Sequence, residues 1–330
     1  MEAFENGIGK LFTDPDPDNA RAFFRQKSRE MKSKVMPVKE AVKKFVHDGE
    51  YLATGGFGAN RIPTAVCHEI LRQGRKNMGF AGHTTTHDFQ ILCAGKVFDK
   101  LDASYVVGLE ARGLSPNARK YIESGEVQVT EWSNYGLAAR FRAAAMGVAF
   151  LPIRTTLGTE TYKYGAGKTI KCPFTGVPYM AVPALYPDVV AIHVHAADIY
   201  GNCQIRGITV ADLDLARAAK RLIITTERII SSDDIRKEPI RTAIPYYLVD
   251  AVCEVPYGSY PGNMAYEYFS DEDHLREWMT VEKDPDTFKK FLEKNIYNCT
   301  SHFDYLRVNG GMEKMMELRQ KELFFLTKER

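Results

Sequence analysis

Two turns of the chain carry groups suited to acyl chemistry, and the first contains Gly55, Gly56, Phe57 and Gly58. It follows a short apolar segment and precedes Pro63. Glycine allows positive φ and close approach of the backbone to a ligand. A helix that begins near a proline presents unpaired N–H groups, which stabilise an anion or a developing oxyanion. Taken alone, the turn is equally typical of a plain strand-to-helix connection.

The second turn contains Ser133 and Asn134, between a strand-like segment and the helical segment 137–146. An amide such as that of Asn134 can donate a hydrogen bond to a carbonyl oxygen as that oxygen gains charge. Ser133 also suits a helix N-cap, which would be a structural role. A third candidate is Arg112 in segment 109–115, since a guanidinium can bind a carboxylate bidentately. The alternative for Arg112 is an ordinary surface arginine.

Histidine and cysteine spacing does not predict a metal site. His83 and His87 have the i, i+4 spacing of a helical metal pair, but no glutamate follows the zincin pattern between them. Segment 82–86 is typical of a loop, and we predict that His83 lies there, near the substrate. The six cysteines are widely spread without a CxxC pair, which favours reduced thiols over disulfides or zinc.

Several segments, in the same order along the chain, resemble the A-type subunits of the family I coenzyme A-transferases. The resemblance covers roughly 36–268 and is most similar to the glutaconate coenzyme A-transferase branch. Arg61 stands where the commoner pattern of the family has glycine, and Thr54 replaces an apolar residue. The segments that carry the resemblance are 48–63, 131–137, 150–154, 195–202, 226–239, 249–252 and 256–259.

The resemblance implies covalent catalysis, in which a glutamate attacks an acyl-CoA thioester and becomes a glutamyl-CoA thioester. In the family this glutamate belongs to the B-type subunit, so the resemblance implies a heteromer with such a partner. Coenzyme A would be part of the substrate, and no permanently bound cofactor is expected. Asn134 matches a glutamine of several branches that faces the thioester, with Ser133 in support. The candidates for binding substrate or coenzyme A are Gly55, Gly56, Phe57, Gly58, Arg61, His83 and Arg112.

Two other functions remain open at this point. Some proteins of the same fold hydrolyse a carbon–carbon bond in ring-derived CoA esters or decarboxylate an acyl-CoA, and segments 91–97 and 150–158 are similar to the ring-cleaving type. A non-catalytic acyl-CoA sensor is a third alternative. The resemblance allows a dicarboxylic acyl group, but segment 109–115 differs from the glutaconate branch, so glutaconate is not assumed as the substrate.

Two further segments have misleading similarities. Residues 5–9 match four letters of the nucleophile signature of the B-type subunit, but no strand precedes them. We interpret the match as chance at a disordered terminus. Residues 167–169 are similar to part of a phosphate-binding loop, but the glycine that such a loop needs is replaced by Tyr162. We predict a mobile loop there.

The elements that must position these side chains alternate between strand-like and helical segments. Continuous apolar runs such as 189–194 and 221–226 are typical of parallel strands covered on both sides. The predicted fold is α/β, an open, largely parallel sheet with helices on both faces (the coenzyme A-transferase fold) and a helical C-terminal extension. We predict an appendage at 1–33 with a helix over 19–34, the α/β domain at 34–268 and the extension at 269–330. Further strands are predicted at 78–81, 103–108, 127–131 and 148–153, and helices at 86–94 and 116–124.

Composition excludes some classes of partner. The chain has 330 residues and a net charge of +2, with interspersed charges rather than the basic stripe of a nucleic-acid binder. It contains no run of eighteen apolar residues, and its first residues lack the pattern of a signal peptide. We therefore predict a cytoplasmic protein that binds neither nucleic acid nor membrane.

Overall fold

The computed structural model describes residues 6–106 and 112–328 of the chain. In chain order its strands are β1 (Tyr51–Thr54), β2 (Met78–Gly82), β3 (Phe98–Ala103), β4 (Gln128–Glu131), β5 (Phe150–Ile153), β6 (Lys168–Lys171), β7 (Pro178–Pro183), β8 (Val189–Val194), β9 (Ala196–Ala197), β10 (Cys203–Gln204), β11 (Arg221–Thr226), β12 (Thr242–Ile244) and β13 (Ala251–Glu254). The α-helices are α1 (Pro17–Gln26), α2 (Val38–Phe45), α3 (Thr64–Arg72), α4 (His87–Ala94), α5 (Pro116–Glu123), α6 (Asn134–Met146), α7 (Glu160–Tyr164), α8 (Asp212–Ala218), α9 (Ser232–Lys237), α10 (Glu272–Val281), α11 (Pro285–Leu292), α12 (His302–Val308) and α13 (Gly311–Lys328).

A seven-stranded parallel sheet forms the centre of the fold, in the order β13-β11-β8-β1-β2-β3-β4. Strand β1 pairs in parallel with β2 on one side and with β8 on the other. The chain therefore adds strands outward in one direction from β1, then returns to β8 and adds strands in the other direction. At such a reversal the carboxyl ends of the two strands border a crevice, which is where ligands bind in open α/β sheets.

Neighbouring residues of the central strands enter different cores, one on each face of the sheet. Leu52 packs in a core with Phe80 and Ile70, whereas Tyr51 and Ala53 pack in a second core on the opposite face. This alternation is the pleat of a strand. Because both faces of the sheet are covered, strand segments such as 189–194 and 221–226 are apolar at nearly every position. The predicted fold, an open parallel sheet with helices on both faces, is confirmed.

Two sequence predictions are wrong, the mobile loop at residues 167–169 and the disordered terminus that includes residues 6–9. Residues 167–169 are not a mobile loop, because β6 begins at Lys168 and pairs antiparallel with β7. The N-terminal residues from Asn6 onward are held against this hairpin, with Gly7 N donating to Gly167 O at 3.0 Å and Gly9 N to Gly165 O at 2.9 Å. A Cβ on Gly7 would lie 2.0 Å from Gly165 O, so only glycine allows this approach.

Some predicted boundaries also differ from the structure. The strand predicted at 103–108 is instead β3, which ends at Ala103, and residues 107 and 108 lie outside the described residues. The prediction followed the apolar letters after residue 104, whereas β3 has charged residues at three of its six positions. The helix predicted at 19–34 is the shorter α1, which begins where the Asp16 side chain accepts from Asp18 N.

Helices α10 to α13 form the C-terminal part of the chain, as predicted. Trp278, Phe288 and Phe291 belong to the same core as Phe80 and Phe98 of the central sheet. The division of the chain after residues 33 and 268 stays a prediction. Within 6–106 and 112–328, no helix is long and apolar enough to cross a membrane.

Candidate active site

The glycine turn lies at the carboxyl end of β1, beside the reversal of strand order. Gly56 has φ of 93°, and its N–H donates to Asp212 Oδ1 at 2.8 Å. A Cβ at this position would lie 2.7 Å from Arg61 O, so the turn requires glycine here. Gly55 is buried as well, whereas Phe57 is partly exposed at the edge of the sheet.

Arg61 lies under this turn rather than in an open cleft. Its side chain is 0% exposed and forms an ion pair with Asp212, the first residue of α8. The guanidinium also donates to Ile208 O at 2.7 Å. These contacts tie the glycine turn to α8, and the burial does not support the substrate-binding role predicted for Arg61. Removing one partner of such a buried pair costs about 3–5 kcal/mol.

The loop after β2 packs directly on the glycine turn. Gly58 N donates to Thr84 O at 2.9 Å, and Thr86 Oγ1 donates to Gly58 O at 2.7 Å. Thr84 has φ of 49°, which is an outlier for a β-branched residue. Strain of this kind costs about 1–3 kcal/mol and is concentrated at functional sites. Thr84 therefore marks this loop as more than a connection between β2 and α4.

Asn134 reaches the same loop from β4 and α6. Its Nδ2 donates to Thr84 Oγ1 at 3.0 Å, and its Oδ1 is buried without a hydrogen-bond partner among the described residues. Ser133 is the N-cap of α6, with Oγ accepting from Gly136 N at 2.9 Å. The structural role considered for Ser133 is thus present. Three turns, after β1, β2 and β4, meet around Thr84.

His83 lies in the loop where it was predicted, beside the glycine turn. Its ring centroid is 6.2 Å from that of Phe57, and its Nδ1 is 3.2 Å from Thr84 Oγ1. Burial lowers the pKa of His83, and the nearby charge of Asp212 opposes this shift without reversing it. The imidazole is therefore neutral at pH 7, so it can either donate or accept a hydrogen bond.

Arg112 has a partner within the chain. Its Nη2 lies 2.7 Å from Glu272 Oε1, and its Nε donates to Glu272 Oε2 at 2.9 Å. This bidentate pair connects the segment after β3 to the first residue of α10 and holds the pKa of Glu272 below its ordinary value. A substrate carboxylate at Arg112 would have to displace Glu272. Residues 109–111 of the same predicted segment lie outside the described residues.

Sequence reasoning missed the residues that support the three turns. Thr54 Oγ1 donates to Asp88 Oδ2 at 2.7 Å, and Thr86 N donates to Asp88 Oδ1 at 2.9 Å. The hydroxyl at position 54, a departure from the family pattern, thus links β1 to α4. The cluster of threonines after Gly82 was a usable signal for this loop. Nothing in the sequence pattern pointed to Asp212 as the partner of Arg61.

Neither the histidines nor the cysteines assemble into a metal site in the part of the chain that the structure describes. No group of three or more His, Cys, Asp or Glu residues there could hold a metal ion. His87 contacts the Trp278 ring, at 4.7 Å between centroids, and its Nδ1 lies 3.0 Å from Gln90 Oε1. All six cysteines are free thiols.

Comparison with known proteins identifies the class. Residues 35–255 match the family described as Coenzyme A transferase. Three relatives are similar over most of the chain. The first is an uncharacterized protein of Archaeoglobus fulgidus (47% identical over 98% of this chain and 72% of the relative). The second is the A subunit of glutaconate CoA-transferase of Acidaminococcus fermentans (32% identical over 84% of this chain and 92% of the relative). The third is the A subunit of 3-oxoadipate CoA-transferase of Pseudomonas knackmussii (34% identical over 80% of this chain and 94% of the relative).

Solved structures agree with this assignment. The crystal structure of glutaconate coenzyme A-transferase from Acidaminococcus fermentans matches with a TM-score of 0.84 at 31% identity, over 87% of this chain and 96% of the other. A variant of the decarboxylase AibA/AibB matches with a TM-score of 0.71 at 29% identity, over 80% and 98% of the two chains. The chain belongs to the coenzyme A-transferase family. Within the family it is an A-type subunit of the family I type, similar to that of glutaconate CoA-transferase.

Proposed function

We propose that this chain is the A-type subunit of an enzyme that moves coenzyme A between an acyl-CoA and a carboxylic acid. The observation that carries the proposal is the meeting of Asn134, Thr84 and the glycine turn at the carboxyl edge of the sheet. An amide nitrogen carries two hydrogens. Because Thr84 Oγ1 accepts only one of them, the second is available to the carbonyl oxygen of a thioester as that oxygen gains charge.

The nucleophile in this proposal is a glutamate of a B-type partner subunit. Among the described residues, no glutamate forms a hydrogen bond with Thr84 or Asn134. The glutamate carboxylate attacks the thioester carbon, the carbon–sulfur bond breaks, and an acyl-glutamyl anhydride forms with release of CoA thiolate. The thiolate then attacks the glutamyl carbonyl, which releases the first carboxylic acid and leaves a glutamyl-CoA thioester. An acceptor carboxylate reverses these steps.

The role of this chain is to bind and polarise the reacting thioester. Asn134 Nδ2 donates to the oxyanion, and neutral His83 with the exposed part of Phe57 borders the acyl group. Because the His83 imidazole is neutral, it places no positive charge beside the coenzyme A thiolate. Arg112 can bind a second carboxylate of the acyl group only by exchanging Glu272 for it. The similarity to glutaconate and 3-oxoadipate transferases supports a dicarboxylic acyl group.

The test uses this chain co-expressed with a B-type subunit encoded beside it. The complex is incubated with an acyl-CoA, treated with borohydride or hydroxylamine, and digested for mass spectrometry. A modified glutamate on the partner, together with exchange of labelled carboxylic acid into acyl-CoA, is the expected result. The same experiment with Asn134→Ala should lose the modification, whereas Asn134→Gln should keep it because several family members have glutamine here.

A second candidate is a decarboxylase, favoured by the similarity to the AibA/AibB structure. In that case the complex would consume an acyl-CoA with release of carbon dioxide and without a modified glutamate. Consumption of acyl-CoA with release of carbon dioxide and without exchange of labelled acid would replace the transferase proposal with this one.

A further inference from the structure

A buried carboxylate lies behind the turn that carries Asn134. Asp102 of β3 is completely buried and accepts three hydrogen bonds. The donors are Tyr51 OH, Trp132 Nε1 at 2.6 Å and Arg140 Nη1 at 2.5 Å. Tyr51 belongs to β1, Trp132 precedes the Ser133 cap, and Arg140 lies within α6. One side chain therefore connects two central strands to the turn and to its helix.

The indole of Trp132 is held on its edge and on its face. Asp102 accepts from its N–H, and the Arg140 guanidinium lies 4.3 Å from the ring centroid. Arg140 Nε donates to Pro183 O at 3.0 Å, which fixes the guanidinium from a third side. The backbone is fixed as well, since Trp132 N donates to Ala103 O at 2.7 Å. The indole and the backbone of Trp132 thus have little freedom to move.

Stability alone is a poor explanation for this arrangement. Both ends of the Asp102–Arg140 pair are 0% exposed, and Arg140 Nη2 has no hydrogen-bond partner among the described residues. A buried ion pair with an unsatisfied donor is often less stable than well-packed apolar side chains of the same volume. What the network does supply is a single fixed position for Trp132, and the next two residues are Ser133 and Asn134.

We propose that Asp102 is a positioning residue for the coenzyme A transfer proposed above, which acts through Trp132 and Arg140 to hold the Asn134 amide against Thr84. This inference rests on the proposed function. Asp102 touches neither substrate nor coenzyme A. Arg140 fixes the axis of α6, Trp132 fixes the turn before it, and Asn134 is the first residue of that helix. Loosening either contact moves the donor away from the thioester oxygen.

The chain contains a matched control for this role. Glu282 is also a buried carboxylate that accepts from an indole, Trp278 Nε1 at 2.5 Å, and from a hydroxyl, Ser115 Oγ at 2.7 Å. It joins α10 to the N-cap of α5 and makes no described hydrogen bond with the three turns of the site. Asp102→Asn and Glu282→Gln each replace a buried carboxylate that accepts from an indole with an amide. Asp102→Asn in addition breaks the ion pair with Arg140, which Trp132→Phe keeps.

The kinetic test measures kcat and KM of the full complex with its B-type subunit, per folded complex. Asp102→Asn should lower kcat by about 100-fold, because a displacement of about 1 Å costs roughly that factor. KM for acyl-CoA should change by less than about threefold, since ground-state binding does not use the donor. Trp132→Phe keeps the ion pair and should lower kcat by about tenfold. Glu282→Gln should leave both constants within about twofold of the unsubstituted complex.

A spectroscopic test does not depend on activity. The chain has two tryptophans, so ¹⁵N-labelled complex shows two indole N–H signals from this subunit, one for each carboxylate partner. Asp102→Asn should shift the Trp132 indole signal and the side-chain amide signals of Asn134. The Asn134 amide signals are assigned with Asn134→Asp, in which they disappear. Glu282→Gln should shift only the Trp278 indole signal.

The outcomes separate the two proposals. Suppose first that the unsubstituted complex transfers coenzyme A. If kcat is then as high in Asp102→Asn and Trp132→Phe as in the control Glu282→Gln, Asp102 has no positioning role. If the unsubstituted complex transfers no coenzyme A, the proposed function fails. The Asn134 amide signals then decide whether Asp102 positions Asn134, and unshifted signals in Asp102→Asn would overturn the inference.

Discussion

The carboxyl edge of the sheet and the seam where the C-terminal helices α10 to α12 pack on α3 and α4 are both buried, but they are built from different interactions. At the edge, buried carboxylates pair with arginines, as in Arg61–Asp212 and Arg140–Asp102. The seam consists mainly of aromatic and imidazole rings, as in the contacts of His87 with Trp278 and of His68 with Tyr305. The edge therefore depends on charge at fixed positions, and the seam depends on rings that stay neutral.

The protonation of the seam follows from its burial. Burial lowers the pKa of His87 to about 3 and the pKa values of His274 and His302 to about 4. His274 Nε2 lies 2.9 Å from Tyr305 OH, and His68 has no hydrogen-bond partner on either ring nitrogen among the described residues. Such rings pack well while they are neutral and resist protonation. The seam can be weakened by acid, whereas the edge is weakened by loss of one member of an ion pair.

The largest expected effect comes from breaking an ion pair of the edge. Arg61→Met leaves the buried Asp212 without its ion-pair partner, so the free energy of unfolding should fall by about 3–5 kcal/mol. Urea unfolding at pH 7 measures this change. Arg112→Met is the control, because Glu272 is partly exposed and its loss of a partner should cost only about 1 kcal/mol. Equal losses of unfolding free energy in Arg61→Met and Arg112→Met would show that burial of the ion pair does not determine the cost of breaking it.

The second prediction concerns the donor at the meeting point of the three turns. Asn134→Ala should lower kcat by about 10²–10³-fold, the usual cost of losing one oxyanion donor, with little change in the free energy of unfolding. Steady-state kinetics of the complex with its B-type subunit measures the first quantity, and urea unfolding measures the second. Asn134→Gln should restore most of the activity. A stability loss as large as that of Arg61→Met would instead make Asn134 part of the scaffold.

The third prediction tests the seam by pH. Because the folded pKa of His274 lies below the ordinary value of 6.5, unfolded protein binds more protons than native protein as pH falls below 6.5. The stability contributed by the neutral ring is thus complete above pH 6.5 and is lost as pH falls toward 4. Each such histidine contributes up to about 1.4 kcal/mol per pH unit to this slope.

His274→Phe should reduce the slope of unfolding free energy against pH between 6.5 and 5, as measured by urea titrations at several pH values. Tyr305→Phe is the matched control, because it removes the hydroxyl bonded to His274 but keeps the histidine. It should lower stability about equally at each pH. An unchanged slope in His274→Phe would mean that other groups cause the acid sensitivity.

Sequence reasoning succeeded where local pattern decides the structure. The apolar runs of β8 and β11 predicted a two-sided parallel sheet, since both strands are almost entirely buried. The glycine turn and the Ser133 turn were found because residue type determines local backbone geometry and helix capping. Segment 195–202, which carries part of the family resemblance, forms a turn in which Asp198 Oδ1 accepts from Tyr200 N and Asn202 N at 3.0 and 2.9 Å.

The residues that sequence reasoning missed act across long sequence separations. Asp212 meets Arg61 only after β8 returns to the middle of the sheet, and no local pattern encodes that contact. Asp102 is an acidic residue in a strand with charged neighbours, so its letter predicts exposure, although its side chain is buried. Arg112 was considered for a substrate carboxylate, and in the structure its guanidinium pairs with Glu272; its role toward a substrate stays a prediction. Partners of buried charges follow from topology rather than from spacing.

The smallest expected effect separates strain from chemistry at Thr84. Thr84→Gly should change the free energy of unfolding by no more than about 1 kcal/mol, because relief of the strained φ offsets the added flexibility of the unfolded chain. It should nevertheless lower kcat, since Asn134 Nδ2 loses the hydroxyl that orients it. Asn77→Gly is the control, because Asn77 also has positive φ, at 57°, but lies immediately before β2, at the end of the strand opposite the three turns. Steady-state kinetics and urea unfolding of both variants measure the changes in kcat and in the free energy of unfolding. Full activity in Thr84→Gly would mean that the strained backbone at position 84 serves only the fold of the loop.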